Sequence, residues 1–368
     1  MRITSIEARS YLLPLEPPFA AAWDPELRLN LPETIVTVAT DDGLTGSCGG
    51  APVPDLGLVG LHLGGLDPND TERVWAAVES IDFHGGRNWT VEVAIWDLLA
   101  KAAGQPLWEF LGGGRDQMRA YASSAEKTEL DTRITRLQQW SDQGIGAAKL
   151  RFYHRDWRQD LKVLEAARAG VGPGMDLMVD VNQGWRMPGD VSPRWDLATA
   201  RECAETLADL AVYWLEEPLG TDEVEAYREL RESSPIPIAA GEMVRSLATT
   251  RRLVEAGGVD VIQNDVVLAG GIGGCRRVAE WASRAGIVWS PHTWSTGYGL
   301  LANLHAALAW STAEYLEVPY DPPGWTPARR DFMLPFEVPI ADGMISAPPG
   351  PGLGVEPDFE KLERWRVA

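Results

Sequence analysis

Acidic and basic side chains recur at nearly even spacing through the second half of this 368-residue sequence. Each follows a short apolar run, and successive members lie between 23 and 36 residues apart: Asp180, Glu216, Glu242, Asp265, His292 and Glu317. A spacing of this size is the length of one strand plus one helix, so each residue is expected at the carboxyl end of its own strand. Because the carboxyl ends of parallel strands share one face of a barrel, the pattern predicts a single catalytic pocket.

Three of these residues form a candidate metal site. Asp180, Glu216 and Glu242 come from successive predicted strands and offer only oxygen atoms. Bare carboxylates in apolar surroundings repel one another, and a hard divalent cation removes that repulsion. Oxygen ligands favour Mg²⁺ over Zn²⁺, which binds histidine and cysteine. We therefore expect Mg²⁺ as the cofactor. The alternative, that each acid caps a helix or pairs with an arginine, is less favourable for three acids in register.

A candidate general base lies on the next two predicted strands. A carboxylate at Asp265 could accept a hydrogen bond from the imidazole Nδ1 of His292, which would fix the tautomer and raise the basicity of the ring. We therefore expect His292 to be the base and Asp265 its partner. A lone histidine is more often structural than catalytic, and His62, His84 and His305 are assigned to that class.

Two cations lie on the second predicted strand, AAKLRFY. Lys149 and Arg151 are two positions apart, so both side chains are expected to point into the barrel. Facing the carboxylates, they could bind an acidic substrate or take part in proton transfer. The alternative is a structural ion pair with those carboxylates, since buried cations are usually paired.

The elements that must position these side chains begin near residue 118. Eight apolar runs alternate there with amphipathic segments: AYASS, AAKLRFY, MDLMVDV, VYWLEEP, IPIAAGE, VDVIQND, IVWSPH and EYLEV. Such alternation predicts parallel β/α units, and a closed eight-stranded barrel needs roughly 200 to 250 residues. An open doubly wound sheet would usually carry a phosphate-binding glycine loop after its first strand, which is absent here. The glycine-rich stretch 269–274 is interpreted as a βα loop and helix start.

The rest of the sequence predicts a second unit. Residues 1–117 begin with strand-like runs that carry an Asp-Asp-Gly hairpin turn, and a helical stretch follows that is expected to end at Gly112–Gly114. The predicted fold class is therefore α/β, a modified TIM (β/α) barrel over residues 118–320 with an α+β capping domain. The capping domain is expected to combine residues 1–117 with the C-terminal segment, residues 321–368, which returns to it.

Composition excludes several classes of function. The 53 acidic and 33 basic residues give a net charge of −20, which argues against nucleic acid or a membrane surface as a partner. The sequence has neither a basic leader followed by an apolar stretch nor a run of eighteen apolar residues, so a cytoplasmic location is expected. Cys48, Cys203 and Cys275 are far apart without a CxxC motif, which favours buried thiols over disulfides or a cysteine metal site.

Seven motifs together resemble the enolase superfamily, in its mandelate racemase branch, over nearly the whole chain. They are AIWDLLAKAAGQPLWEFLGG, MVDVNQGW, WLEEP, AAGE, QND, SPH and YLE. The resemblance implies the roles already expected for the three Mg²⁺ ligands and for His292 with Asp265. It adds that Glu317 hydrogen-bonds a substrate carboxylate oxygen and that Asn182 contacts the substrate.

The second-strand motif departs from the family pattern. The family usually carries Lys-x-Lys there, the second lysine being the base opposite the histidine, whereas this chain has Lys149-Leu150-Arg151. A guanidinium normally stays protonated, which disfavours two-base racemisation unless Lys149 takes over. Dehydration needs one base and an acid for the leaving hydroxide, and His292 could supply both. The expected activity is Mg²⁺-dependent removal of an α-proton through an enediolate, with dehydration of an acid sugar to a 2-keto-3-deoxy acid.

Two other functions stay open. One is a racemase or epimerase of a hydroxy or amino carboxylate on the same scaffold, and the other is a metal-binding relative without turnover. The muconate lactonising and dipeptide epimerase branch is disfavoured, because it places a lysine on the sixth strand where this chain has Asp265. Amidohydrolase barrels need a His-x-His pair on the first strand, which AYASS lacks.

Specificity is expected to depend on the capping domain. Its loops near Pro17–Asn30 and Cys48–Gly57 should lie over the pocket, and Trp23 and Arg28 are candidate substrate contacts. An ordinary packing or surface role is the alternative for both. The expected partner is a small-molecule carboxylate, and the chain is expected to form a homo-oligomer.

Overall fold

In the computed structural model, which describes residues 1–367, the chain starts with an antiparallel sheet. Its strands β1 (Ile3–Phe19), β2 (Arg28–Thr40) and β3 (Thr45–Gly50) are arranged in that order. The predicted Asp-Asp-Gly turn joins β2 to β3, and Gly43 there has a left-handed φ of 82°, which glycine adopts without strain. Because β1 continues to Phe19, the loop joining β1 to β2 is shorter than expected and covers residues 20–27.

Helices of the capping domain follow this sheet. Within the described chain they are α1 (Leu56–Leu63), α2 (Thr71–His84), α3 (Trp89–Ala103) and α4 (Leu107–Phe110). Gly46 of β3 permits close packing on α3, because a Cβ there would lie 2.1 Å from the carbonyl oxygen of Ala94. The prediction of one helix ending at Gly112–Gly114 is wrong. Helix α3 stops at Gly104, which has a left-handed φ of 67°, and Pro106 precedes the separate helix α4.

Parallel strands form the second sheet, and each predicted apolar run overlaps one of them. Over residues 1–367 they are β4 (Gln117–Ser123), β5 (Ala147–Arg151), β6 (Asp176–Asp180), β7 (Val212–Glu216), β8 (Ile238–Ala240), β9 (Val261–Ile262), β10 (Val288–Trp289) and β11 (Tyr315–Pro319). The helices between them are α5 (Leu130–Asp142), α6 (Arg158–Val171), α7 (Leu197–Ala208), α8 (Val224–Ser233), α9 (Leu247–Glu255), α10 (Gly271–Ala285) and α11 (Gly297–Trp310). The predicted (β/α) architecture is confirmed.

The curled sheet is not closed by strand pairing. Its backbone ladder runs in the order β10-β9-β8-β7-β6-β5-β4-β11, and the described residues show no ladder between β10 and β11. Side-chain contacts bridge this gap instead. In the loop after β10, Thr293 donates its backbone N–H to Glu317 Oε2 at 2.9 Å and its hydroxyl to the Glu317 carbonyl oxygen. The barrel is therefore joined at this position by contacts of a candidate site residue.

The C-terminal segment contacts both units. It contains α12 (Pro327–Arg330), β12 (Met344–Ser346) and α13 (Phe359–Leu362). Strand β12 pairs antiparallel with β4 of the barrel and not with the capping sheet. Further along, the backbone N–H of Leu353 donates to Asp97 Oδ1 of α3 at 2.7 Å, and Arg366 forms a bridge with Tyr11 of β1. The division of the chain into domains at the stated boundaries remains a prediction.

A buried carboxylate joins the capping helices to the barrel. Glu92 of α3 accepts hydrogen bonds from the backbone N–H groups of Ile272 (2.8 Å) and Gly273 (2.9 Å) and from the indole N–H of Trp96 (2.6 Å). Burial raises the pKa of Glu92 to about 7, although these donors act in the opposite direction. The glycine-rich stretch is thus a helix start, as predicted, and a carboxylate of the same chain occupies its free N–H groups.

The cysteines are free thiols in buried positions. Burial raises the pKa of the thiols of Cys48, Cys203 and Cys275, so they remain protonated and unreactive. Among residues 1–367, no helix combines the length and the apolar composition needed to cross a bilayer.

Candidate active site

The three carboxylates expected to bind metal meet at the carboxyl ends of neighbouring strands. Asp180 ends β6, Glu216 ends β7, and Glu242 lies two residues beyond β8. All three are buried, and one oxygen from each lies within 4.8 Å of the others. Carboxylate oxygens grouped in this way are suited to a hard divalent cation.

Indole groups orient two of these carboxylates. Trp185 donates its Nε1–H to Glu242 Oε1 at 2.7 Å, and Trp214 donates to Glu216 Oε2 at 3.0 Å. The second oxygen of Glu242, Oε2, is buried and accepts no hydrogen bond within the described residues. A buried carboxylate oxygen with free lone pairs can serve as a metal ligand, so the residues present fit Mg²⁺.

Lys149 lies among the carboxylates inside the barrel. Its Nζ is 2.5 Å from Glu216 Oε1, 2.8 Å from Glu317 Oε1 and 3.8 Å from Asp180 Oδ2. Burial lowers the pKa of a lysine, but the charges of Glu216 and Glu317 hold the pKa of Lys149 well above its usual range. In this arrangement Lys149 is a cation that offsets negative charge, as the ion-pair alternative expects.

Glu317 is held as an anion by the same group of charges. Burial would raise the pKa of its carboxyl, but Lys149, His292 and Arg151 hold that pKa well below the usual range. The side chain is fully buried within β11, and its Oε2 accepts the backbone hydrogen bond from Thr293. An ionised carboxylate fixed in this way can only accept hydrogen bonds.

The structure brings the predicted base and its partner together. His292 Nδ1 lies 2.9 Å from Asp265 Oδ2, and Asp265 Oδ1 accepts the backbone N–H of Leu268 at 2.6 Å. The other imidazole nitrogen, Nε2, is 3.5 Å from Glu242 Oε2, so it is directed toward the candidate metal site. Burial would lower the pKa of His292, but the carboxylates of Glu242, Glu317 and Asp265 raise it to about 9. The geometry suits a general base.

Arg151 is fixed on several sides at the inner end of the site. Its Nε–H donates to the carbonyl oxygen of Ser124 at 3.0 Å, and Nη1 donates to Asn182 Oδ1 at 3.0 Å and to Asp180. The guanidinium also lies 4.3 Å from the ring centre of Trp23. A cation–π contact of this kind places a residue of the loop joining β1 to β2 directly over a barrel side chain.

Asn182 and Glu217 complete the inner site. Asn182 has a left-handed φ of 44°, and it donates to Asp180 from its backbone N–H (2.9 Å) and from Nδ2 (3.0 Å). Glu217 is fully buried, and Gly184 leaves room for it, because a Cβ there would lie 2.1 Å from Glu217 Oε1. Burial and the charge of Glu242 raise the pKa of Glu217 well above its usual range. The doubled glutamate of WLEEP is the sequence signal for this residue.

A cleft of about 650 Å³ leads from this inner site. It lies between the loop joining β1 to β2 and the loops that follow β5 and β6. Its inner end is formed by Arg151, Asn182 and Trp185, each of which contacts a carboxylate of the candidate metal site. The cleft is therefore the path along which a substrate would extend away from the carboxylates.

The two substrate contacts predicted from the capping domain differ in their placement. Trp23 lines the cleft, as does Asp24, but Arg28 is not part of the lining. Arg28 instead donates its Nε–H to Asp24 Oδ2 at 3.0 Å. Trp23 thus lies at the site, whereas Arg28 contacts only a residue that lines it.

A second histidine–aspartate pair lies beside the cleft, which its histidine lines. His154, three residues beyond β5, has its Nδ1 2.7 Å from Asp160 Oδ1. The other oxygen of Asp160 accepts the backbone N–H groups of Tyr153 (3.1 Å) and His154 (2.8 Å). Spacing between strand ends does not predict this pair, because Asp160 belongs to helix α6. The position of His154 just beyond a strand is its only sequence signal.

Comparison with known proteins finds relatives of this chain, one of them over its whole length. The Enolase C-terminal domain-like family matches residues 133–362, which is more than half of the chain. The chain is 28% identical to D-galactarolactone cycloisomerase of Agrobacterium fabrum, over 100% of this chain and 99% of that protein. It is 29% identical to L-talarate/galactarate dehydratase of Salmonella typhimurium, over 70% of this chain and 63% of that protein.

A solved structure shows the same architecture with metal and ligand. The crystal structure of L-talarate dehydratase from Polaromonas sp. JS666, complexed with Mg and L-glucarate, has a TM-score of 0.83 to this chain at 25% identity. The match covers 100% of this chain and 98% of that chain. The shared fold therefore includes both the capping domain and the barrel.

Proposed function

The chain belongs to the Enolase C-terminal domain-like family, and we infer from this and from the site that it catalyses the Mg²⁺-dependent dehydration of an acid sugar to a 2-keto-3-deoxy acid. The proposal rests on the combination of one histidine that can act as a base with a guanidinium in place of a second base. His292 and Asp265 form the histidine–aspartate dyad, and Arg151 occupies the position where a racemase would need a second proton carrier.

The inner carboxylates would bind the metal and the cations would bind the substrate. Asp180, Glu216 and Glu242 are the residues that would hold Mg²⁺. When bound there, Mg²⁺ stabilises the negative charge that develops on the substrate carboxylate as the α-proton leaves. Arg151 and Lys149 add positive charge at the inner end of the site, so an anionic substrate is bound there despite the net charge of −20.

His292 is placed to perform both proton transfers. Its Nε2 removes the α-proton, while Asp265 accepts a hydrogen bond from Nδ1–H and stabilises the imidazolium that forms. The same Nε2–H then protonates the 3-hydroxyl, the carbon–oxygen bond breaks, and water leaves. The histidine returns to its neutral form, so one residue completes a syn elimination.

Racemisation is less well supported by this arrangement. Inversion at the α-carbon needs a second group that gives or takes a proton on the opposite face. Arg151 keeps its proton at any working pH, and Lys149 is held as a cation by Glu216 and Glu317. The site therefore favours elimination over two-base inversion.

A second activity uses the same first step. The relative from Agrobacterium that matches over the full length is named as a cycloisomerase of a lactone. If the α-proton of a sugar-acid lactone is removed, the ring oxygen can leave in place of hydroxide, and no further residue is required. Sugar-acid lactones therefore belong among the substrates tested.

The test is a screen of acid sugars and their lactones with purified protein and Mg²⁺ in D₂O. Keto-acid formation is measured by semicarbazide absorbance, and α-proton exchange by NMR. We expect keto acid from at least one acid sugar. Exchange with retained substrate and no keto acid would instead establish an epimerase, and the absence of both reactions across the panel would establish a non-catalytic relative.

A further inference from the structure

The outer end of the cleft carries positive charge that the proposed reaction does not use. Lys127, His154 and Arg155, from the loops after β4 and β5, line it. Both Lys127 and Arg155 are exposed, and neither has a carboxylate of residues 1–367 within the ion-pair distance of 4.0 Å. In a chain with a net charge of −20, two unpaired cations at one end of a cleft mark a place suited to an anion.

Acidic residues that line the cleft do not cancel this charge, because arginines neutralise them. Asp24 accepts the hydrogen bond from Arg28, and Asp190 Oδ2 lies 3.6 Å from Arg186 Nε. Each of these carboxylates thus has its own cation. The charges left over at the outer end are positive.

Aromatic contacts order the groups at this end. Lys127 Nζ lies 5.3 Å from the ring centre of Tyr153, whose ring lies 4.5 Å from the imidazole of His154. The contact with Asp160 engages His154 Nδ1, so Nε2 is the nitrogen left to bind a ligand. Lysine, tyrosine and histidine therefore form one continuous surface along the cleft.

The two ends of the cleft lie a short way apart on one segment of the chain. Arg151 at the inner end and Arg155 at the outer end are four residues apart on one segment. At ~3.3 Å per extended residue their backbones are separated by at most about 13 Å, and both residues line the cleft. An acid sugar bound at Arg151 would bring its far carbon toward Lys127 and Arg155.

We propose that the cleft selects a dicarboxylate, an aldaric acid, whose second carboxylate binds Lys127 and Arg155, with His154 Nε2 at the neighbouring oxygen. An aldonic acid ends in a neutral hydroxymethyl group and leaves both cations without a partner. The inference rests on the proposed function for the reaction itself, and it adds the class of acid sugar.

The test compares acids that differ only at the far end. The values of kcat/KM are measured for galactarate against galactonate and for glucarate against gluconate. We expect the aldarate to be preferred, and added salt to reduce that preference. Lys127→Met and Arg155→Met should each lower the aldarate-to-aldonate ratio roughly three- to tenfold, mainly through KM. Lys162→Met, an exposed lysine of α6 outside the cleft, makes the same change of charge and should leave the ratio unaltered.

Binding separates this inference from the proposed reaction. Calorimetric titration of His292→Asn with Mg²⁺ present should show tighter binding of the aldarate than of the matching aldonate, and this difference does not depend on turnover. Keto acid formed from aldonates in preference to aldarates would keep the proposed function and overturn the dicarboxylate site. If kcat/KM fell equally for the aldarate and the aldonate in the Lys127 and Arg155 variants, the dicarboxylate site would be overturned as well.

Discussion

Neighbours a few ångströms away set the protonation state of each ionisable side chain at the site. Glu216 and Glu317 raise the pKa of Lys149 well above its usual range, and Lys149 in turn keeps Glu317 ionised. Burial would lower the pKa of His292, but Glu242, Glu317 and Asp265 raise it to about 9. Of these three groups His292 has the pKa nearest neutrality, and a positive charge held by Glu242 would lower that pKa further.

Replacing His292 is expected to separate catalysis from metal binding. His292→Asn removes the base, so turnover should fall by about 10³-fold or more, while Mg²⁺ affinity measured by calorimetry stays close to that of the parent. Asp265→Asn should lose less turnover than His292→Asn, because Asp265 orients the base without accepting the proton. Near-normal turnover in His292→Asn would move the role of base to Lys149.

Removing one metal ligand tests the carboxylate site. Glu216→Gln keeps the shape of the side chain but loses the charge, so Mg²⁺ affinity should fall by roughly ten- to a hundredfold in a calorimetric titration. Chelation should abolish turnover of the parent, and added Mg²⁺ should restore it. Glu205, an acid of α7 outside the cluster, offers a control, and Glu205→Gln should bind Mg²⁺ like the parent. Parent-like affinity in Glu216→Gln would remove Glu216 from the ligand set.

The guanidinium of Arg151 should control which reaction occurs. Arg151→Lys gives an ammonium, which can lose its proton when desolvated beside another cation, whereas a guanidinium cannot. We expect weaker dehydration together with new α-proton exchange, measured by NMR in D₂O on the same substrate. If the parent already interconverts 2-epimers and forms no keto acid, the preference for dehydration is wrong.

At the scale of single residues, the sequence predicts the meeting of side chains only for those at strand ends. Regular spacing places Asp180, Glu216 and Glu242 together, because the strand register fixes where each side chain emerges. His154 and Asp160 escape that argument, since one lies in a loop and the other in a helix. Their pairing depends on how α6 packs beside β5, which periodicity does not encode.

At the scale of elements, even very short strands lie where the apolar pattern predicts them. Strands β9 and β10 contain two residues each, yet both lie within predicted runs, because the alternation of strand and helix indicates their positions. The pairing of β12 with β4 was not predicted. A three-residue strand fits several sheet edges, and the choice depends on the path of the whole C-terminal segment.

His305 links α11 to two distant parts of the chain, and it should make the stability of the protein depend on pH. His305 of α11 accepts the backbone N–H of Trp108 through Nδ1 at 3.1 Å, and its Nε2 lies 3.3 Å from the carbonyl oxygen of Leu353. Burial lowers the pKa of His305 to about 4. Below pH 6.5 the unfolded chain takes up a proton that the folded chain does not, so stability is lost as the pH falls from 6.5 to 4.

The size of this effect can be measured by urea unfolding at several pH values. Between pH 7 and pH 4 the parent should lose on the order of 3 kcal/mol more than His305→Asn, which keeps an acceptor near Trp108 but cannot titrate. His84→Asn alters an exposed histidine of α2 and should follow the parent. Identical pH profiles for the parent and His305→Asn would show that His305 does not titrate in this range.

At the scale of the whole molecule, the capping domain and the barrel depend on one another. Glu92 binds the first turn of α10, and Trp75 of α2 donates its indole N–H to the carbonyl oxygen of Gly270 at 3.1 Å. From the loop joining β1 to β2, Trp23 packs on Arg151 of the barrel. The catalytic face is therefore complete only when both units are docked.

Weakening the contact between Glu92 and α10 should lower the free energy of unfolding and leave the candidate active site unchanged. Glu92→Gln replaces one acceptor oxygen with an amide donor that faces backbone N–H groups, so the free energy of unfolding should fall by about 1–3 kcal/mol in urea. Glu79→Gln, at an exposed acid of α2, should be neutral. An unchanged urea midpoint for Glu92→Gln would show that the contact between Glu92 and α10 does not stabilise the protein.

Arg151, the three candidate metal ligands and His292 lie at or just beyond the ends of separate strands, and this has an evolutionary consequence. A side chain at a strand end can be exchanged while the backbone ladder beneath it stays intact, so one role can change without the others. Two of the six arginine codons, AGA and AGG, differ from the lysine codons AAA and AAG by a single nucleotide. The step from a Lys-x-Lys pattern to Lys149-Leu150-Arg151 is thus within reach of one point mutation, and an ancestor with two proton carriers could have lost inversion and kept elimination in that single event.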